Sequence, residues 1–218
     1  MYEAALNILN KLDKLGYESY IVGGFARDLY LKINSSDIDI CTSATPDIIK
    51  NLFFVIKDNS KFGSVIIEFE QYNFEITTFR KDEYINNRFP KITFVNSLKE
   101  DLQRRDFIIN TLCIDKDGNF VDLMKAINDI DNKIINCVGE ADIKLSEDPL
   151  RILRCIRFAC KLNFTINEDV TNSIKKYTYK LKSLSSKRVK KEINAILKLE
   201  NGMDYIKKFN LEEYIHWE

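Results

Sequence analysis

Histidine is almost missing from this chain: there is one in 218 residues, His216, near the C-terminal end. That removes mechanisms resting on a histidine base. The five cysteines (Cys41, Cys113, Cys137, Cys155 and Cys160) form no C-x-x-C pair. A zinc site therefore has little to be built from, and the thiols read as buried and reduced. Neither a G-x-x-x-x-G-K-[ST] loop nor a G-x-G-x-x-G turn occurs. No apolar run reaches the ~18 residues of a membrane span. The start lacks the basic, apolar and small-residue pattern of a secretion signal, so a cytoplasmic protein without a membrane partner is expected. Charge of one sign is not in excess either, with 33 Lys and Arg against 33 Asp and Glu. That balance counts against an extended polyanion-binding surface and leaves room for a local basic groove. Carboxylates, arginines and metal ions remain to carry any chemistry.

What is present is a globular composition, 45% hydrophobic and 30% charged, long enough for one or two domains. Up to about residue 138, short β-like runs alternate with short helices: Tyr20-Ile21-Val22, Ile38-Asp39-Ile40, Val65 to Phe69 and Tyr72 to Phe79. Gln71-Tyr72-Asn73 reads as the turn of a hairpin between the last two. Thr45-Pro46 opens a helix over roughly 46–54. From Glu140 onward the pattern turns helical. Ser146-Glu147-Asp148-Pro149 reads as a helix start, Asn167 and Ser185 as caps of helices near 168–182 and 186–199, and Asn201-Gly202 as the stop of the latter. The expectation is an α+β domain over 1–138 followed by a helical domain over 139–218, with Gly139 at the boundary.

Within the first domain, Ile21-Val22-Gly23-Gly24-Phe25-Ala26-Arg27-Asp28 joins a strand to a helix through two glycines. Glycine lets a phosphate approach the backbone, helix-start N–H groups attract anions, and Arg27 one turn on adds positive charge. Alone, such a pair is usually a tight turn. Asp37-Ile38-Asp39 follows; on a strand, i and i+2 share a face, so both carboxylates point one way. Such a pair suits a cation, and magnesium takes one or two carboxylates plus phosphate oxygens. The bland reading is a solvated strand face. Glu75 is a candidate third carboxylate, or a surface residue of an alternating strand.

These segments, with Glu75-Ile76-Thr77-Thr78-Phe79-Arg80 and Asp101-Leu102-Gln103-Arg104-Arg105-Asp106-Phe107-Ile108-Ile109-Asn110, resemble the head-domain motifs of class II tRNA nucleotidyltransferases. That family comprises CCA-adding enzymes and bacterial poly(A) polymerases of the polymerase-β superfamily. Glu147-Asp148-Pro149-Leu150-Arg151 resembles its nucleotide-selecting neck motif, and Ser186-Lys187-Arg188-Val189-Lys190-Lys191-Glu192 the helix after it. The resemblance implies a mixed-sheet head and a helical neck. It also implies Mg2+ on Asp37 and Asp39, and nucleotide contacts for Gly24, Arg27 and Arg105. Partners would be CTP, ATP and a tRNA or other RNA 3′ end.

Asp148, Arg151, Arg154 and Arg157 recur every three residues, a slowly winding stripe on a helix. The bland reading is a salt-bridged face; three arginines without matching acids beyond Asp148 favour an anionic ligand. Cytosine and adenine each show an amino donor beside a ring-nitrogen acceptor, whereas uracil and guanine reverse the pattern. An acceptor-only aspartate and a donor-only arginine would fit C and A alike. The resemblance gives Asp148 and Arg151 that role, with Arg154 and Arg157 reaching toward the nucleotide. Two features depart from the family. Lys81 to Pro90, matching its flexible loop, is slightly short, with Phe89 where a basic residue often stands. The chain also stops where helical body and tail domains usually follow, which leaves a fragment, a natural short form or completion by a second chain. Poly(A), CC-only or A-only addition are alternatives within the chemistry; an inactive RNA- or nucleotide-binding fragment is the alternative outside it.

Overall fold

The computed structural model describes residues 1–84 and 90–215 and divides into two compact units, Met1–Ile127 and Asn128–Glu218. Residues 85–89 of the stretch matched to the flexible loop, and His216, lie outside the described residues.

The first unit opens with α1 (Tyr2–Asp13), which buries Ala4, Ala5, Ile8, Leu9 and Leu12 at helical spacing. Then come β1 (Ser19–Val22), α2 (Gly24–Tyr30), β2 (Asp39–Thr42) and α3 (Pro46–Leu52). β3 (Phe54–Asn59), β4 (Ser64–Phe69) and β5 (Tyr72–Thr78) follow. A two-stranded pair, β6 (Arg80–Glu83) with β7 (Lys91–Phe94), precedes α4 (Leu98–Gln103). Two short strands, β8 (Cys113–Ile114) and β9 (Phe120–Val121), complete a seven-stranded sheet in the order β3-β4-β5-β2-β1-β8-β9. Every pairing in it is antiparallel except β2 with β5, which run parallel. The sheet is therefore mixed, as the α+β reading requires. Val22, Cys41, Phe79, Leu98, Leu102 and Cys113 form one buried cluster under α4.

The β4–β5 turn falls at Glu70-Gln71, two residues with φ of 48° and 67°, rather than at Gln71-Tyr72-Asn73. Left-handed conformation at both central positions gives a two-residue turn the twist a hairpin needs. Tyr72 and Asn73 are already paired with Phe69 and Glu68.

α5 (Ala126–Asp131) leads into the second unit, where β10 (Ile134–Ile135) pairs in parallel with β11 (Thr165–Ile166). That pairing draws the segment before Gly139 into the helical unit. Between these strands lie α6 (Ala141–Glu147) and α7 (Leu150–Leu162). After them come α8 (Glu168–Tyr177), α9 (Ser186–Leu197) and α10 (Gly202–Lys208). α7 buries Ile152, Leu153, Cys155, Ile156 and Ala159, and α9 packs on it through Val189, Ile193 and Ile196. Asn163, at φ 54°, ends α7, and the Asn167 side chain caps α8 by accepting from Asp169 N–H. Gly202 does not stop α9 but begins α10, because a Cβ there would lie 2.0 Å from the Ile196 carbonyl oxygen. Four cysteines are buried, Cys160 is half-buried, and all five are free thiols.

Candidate active site

The strand–turn–helix at β1–α2 forms as the glycines predict. Gly23 adopts φ 83° and ψ −136°, a conformation that side chains disfavour, and α2 starts at the next residue. A Cβ on Gly23 would sit 3.8 Å from Asp39 Oδ2 and 3.9 Å from Arg105 Nη1. The turn backbone therefore passes between a carboxylate and a guanidinium.

Asp37 and Asp39 are both exposed while Ile38 and Ile40 are buried; β2 begins at Asp39, so Asp37 lies just before the strand. Asp39 lies opposite Val22 on β1 and opposite Glu75 on β5. Glu75 is also exposed, and strand pairing puts it beside Asp39. Among the described residues no group of three or more His, Cys, Asp or Glu is placed to hold a metal ion. Two carboxylates fit a divalent ion that draws its remaining ligands from phosphate oxygens and water.

Asp39 and Glu75 line a cleft of about 520 Å³ together with Arg80, Arg104, Arg105, Asn59, Phe62 and Ser64. The arginines are held by acids beneath them. Asp101, on α4 and fully buried, accepts from Arg104 Nε at 2.8 Å and from Arg105 Nη2 at 3.0 Å. Its Oδ1 also accepts the Arg80 backbone N–H at 3.2 Å. Burial works against the Asp101 charge, but the two guanidiniums outweigh it and hold its carboxyl below the usual value. Arg105 shows the mirror image: burial disfavours its charge, Asp101 more than restores it, and its pKa is raised. Arg80 is pushed down, first by burial and then by the Arg104 charge. Arg105 Nε makes no hydrogen bond among the described residues, and such a buried donor costs about 1–3 kcal/mol.

Arg27, expected to add positive charge to the phosphates, lies inside the unit. It is only 1% exposed, its Nε donating to Asp28 Oδ1 at 2.8 Å and its Nη1 to Asn110 Oδ1 at 2.5 Å. Asn110 in turn donates to Asp106. The guanidinium nevertheless lies under the turn, with Nη2 3.7 Å from where a Gly24 Cβ would be.

In the second unit, Asp148 sits between α6 and α7, its Oδ1 accepting from Leu150 N–H at 3.2 Å. Of the helix start read over Ser146-Glu147-Asp148-Pro149, Ser146 and Glu147 still belong to α6, Asp148 and Pro149 join the two helices, and α7 begins at Leu150. Arg151 is nearly buried, with Nη1 donating to the Lys144 carbonyl at 3.0 Å and lying 3.5 Å from Glu147 Oε2. Arg157 Nε donates to Glu192 Oε2 at 2.7 Å, while Arg154 and Arg157 both lie over the Phe158 ring. Acids beyond Asp148 do match the arginine stripe: Glu147 within the same stretch, and Glu192 on α9. Sequence reasoning also passed over Asp101 as an anchor, although Asp101 with Arg104 and Arg105 has the i, i+3, i+4 spacing of helical ion pairs.

An open mixed sheet with paired acids at one edge of an arginine-lined cleft, followed by a helical unit, has the architecture of a nucleotidyltransferase head and neck. A model of the Poly A polymerase head domain matches residues 19–136, and the chain belongs to that family. A second model, described as "Probable RNA and SrmB- binding site of polymerase A", matches residues 163–213. A CCA-adding enzyme of Staphylococcus haemolyticus is 40% identical over 204 residues, 92% of this chain and 51% of that protein. The Bacillus stearothermophilus CCA-adding enzyme in complex with CTP superimposes with a TM-score of 0.90 at 34% identity, covering 98% of this chain and 53% of that one. A Thermotoga maritima CCA-adding enzyme complexed with tRNA matches with a TM-score of 0.78 at 25% identity, over 96% and 51% of the two chains. The chain spans about half the length of the curated relatives it matches. Among the described residues no helix is long and apolar enough to cross a membrane.

Proposed function

We propose that the chain carries the catalytic and nucleotide-selecting part of a cytoplasmic tRNA nucleotidyltransferase that adds C and A to an RNA 3′ end. The observation that carries this reading is Asp39 with Glu75 in register beside it, both lining a cleft walled by arginines, and Asp37 exposed two residues before. The RNA 3′-hydroxyl attacks the α-phosphorus of the bound nucleotide in line, and pyrophosphate leaves. Asp37 and Asp39 would hold Mg2+, which supplies charge stabilisation at the phosphoryl oxygens and a more nucleophilic hydroxyl. Glu75 adds negative charge beside Asp39 and orients the groups gathered there. Arg105 offsets triphosphate charge, the Gly24 backbone admits a phosphate, and Arg27 contributes its charge from beneath that turn.

Base choice falls to the second unit. Asp148, its orientation fixed by the Leu150 N–H, offers an acceptor to the amino group of C or A, and Arg151 a donor to the ring nitrogen. U or G would set like against like, a mismatch able to support discrimination of ~10⁴. Arg154 and Arg157 extend the positive stripe toward the nucleotide.

Incubation with a tRNA ending at its discriminator base, and with each nucleotide in turn, tests the reading. C incorporation followed by A is expected, with neither from the Asp37→Ala/Asp39→Ala chain. Runs of A alone would instead make it a poly(A) polymerase, single-base products a CC- or A-only enzyme. Incorporation surviving the double substitution would remove the carboxylate site. Nucleotide binding without incorporation would leave a binding fragment, or a chain that needs a second one to supply the body and tail of its relatives.

A further inference from the structure

Three arginines line one cleft, and one buried residue touches all three. Asp101 divides its carboxylate between two of the guanidiniums and the backbone of the third residue: Oδ1 to Arg104 Nε and the Arg80 backbone N–H, Oδ2 to Arg105 Nη2. It reaches no cleft surface itself, being fully buried on α4, so any effect on a ligand passes through the arginines. The contacts to Arg104 and Arg105 each use one donor of a guanidinium that carries five N–H donors. Asp82 takes a second share of Arg80 and lies 4.0 Å from Arg104 Nη1. Asp101 and Asp82 thus partner the three arginines, while Asp39 and Glu75 line the same cleft.

We propose that Asp101 is the positioning residue of the phosphate-binding wall. It holds Arg104, Arg105 and the start of β6 at the spacing that receives the triphosphate of the incoming nucleotide. This rests on the nucleotidyl-transfer reading above. The chemistry explains why a carboxylate is needed there. Bringing three guanidiniums together before a ligand arrives costs repulsion, which a buried counter-anion offsets. Fixing them in advance removes the ordering cost at binding. Asparagine has the same shape but no charge, and its amide turns an N–H₂ toward one of the two arginines, donor against donor.

The test is competition between inorganic triphosphate and a fluorescent CTP analogue on the full chain, with thermal unfolding followed in parallel. Asp101→Asn is expected to weaken triphosphate competition at least tenfold, while cytidine competition is unchanged. Asp101→Glu, which keeps the charge and shifts it by one methylene, should recover part of the loss. A purely structural ion pair would lower the unfolding temperature and leave the triphosphate-to-cytidine ratio alone. Equal triphosphate affinity in wild type and folded Asp101→Asn overturns the positioning role by itself. A wild-type chain that binds neither CTP analogue nor triphosphate overturns the nucleotide reading and this inference with it.

Discussion

Arg27 and Asn110 lie 83 positions apart and meet in the interior, Nη1 donating to Oδ1. The bond joins the third residue after the Gly-Gly turn to Asn110, four residues past Arg104-Arg105-Asp106, and Asp28 and Asp106 flank it. Removing one member of a buried charged network leaves the others uncompensated, at about 3–5 kcal/mol. Arg27→Ala is therefore expected to lose stability of that order in urea unfolding with no nucleotide present, and Arg27→Lys less. Unchanged unfolding, with only nucleotide affinity reduced, would show that the guanidinium acts as a direct ligand.

Gly23→Ala separates backbone strain from crowding. Space exists for the methyl, whose nearest neighbours would be 3.8 and 3.9 Å away, but φ of 83° with ψ of −136° disfavours any side chain. The expected cost is about 1–3 kcal/mol, read by denaturant titration. The variant should also raise KM for nucleotide, because the methyl would stand between Asp39 and Arg105. A variant as stable as the parent would show that the turn relaxes freely.

Acid should find Asp101. Its carboxyl is held below the ordinary aspartate value of 3.8 by Arg104 and Arg105 despite burial. Its contribution to stability is complete above that value and is lost as pH falls below it toward the folded-state pKa. Wild type and Asp101→Asn, compared by thermal unfolding, should differ by a constant amount near neutrality and converge below about pH 3.8. A gap that does not narrow there would mean the carboxylate charge is not what steadies the arginines.

Glu192→Gln tests whether the arginine stripe of α7 is held from α9. Arg157 and Glu192 are both mostly buried and 2.7 Å apart, and losing the charge of one partner should cost about 1–3 kcal/mol. A double-mutant cycle with Arg157→Gln measures the coupling. Coupling near zero would return Arg157 to the pool of charges available to a ligand.

The paired aspartates, the glycine turn and the switch from sheet to helices were legible because each depends on local spacing. The exposed-to-buried alternation from Asp37 to Ile40 is a two-residue period, visible in the residues themselves. The direction of Arg27 was not legible. Position one turn into a helix says nothing about which side is covered, and α2 buries Phe25, Ala26, Arg27 and Asp28 in succession. Glu192 escaped notice as the partner of Arg157 because helix packing, not sequence proximity, joins them. The hairpin turn was misplaced by two residues because Glu70 and Gln71 are not the residues that left-handed backbone favours, and strand pairing overrides that preference.

The parallel match of β2 with β5 sets the order in which the acidic edge can come into being. Parallel strands cannot be linked by a tight reversal, so α3, β3 and β4 intervene between Asp39 and Glu75. Closing that long excursion precedes any reward from the contact, which makes it one of the slower steps of assembly. A nascent or clipped chain ending before Tyr72 would own both aspartates yet lack the neighbouring strand that carries the third acid.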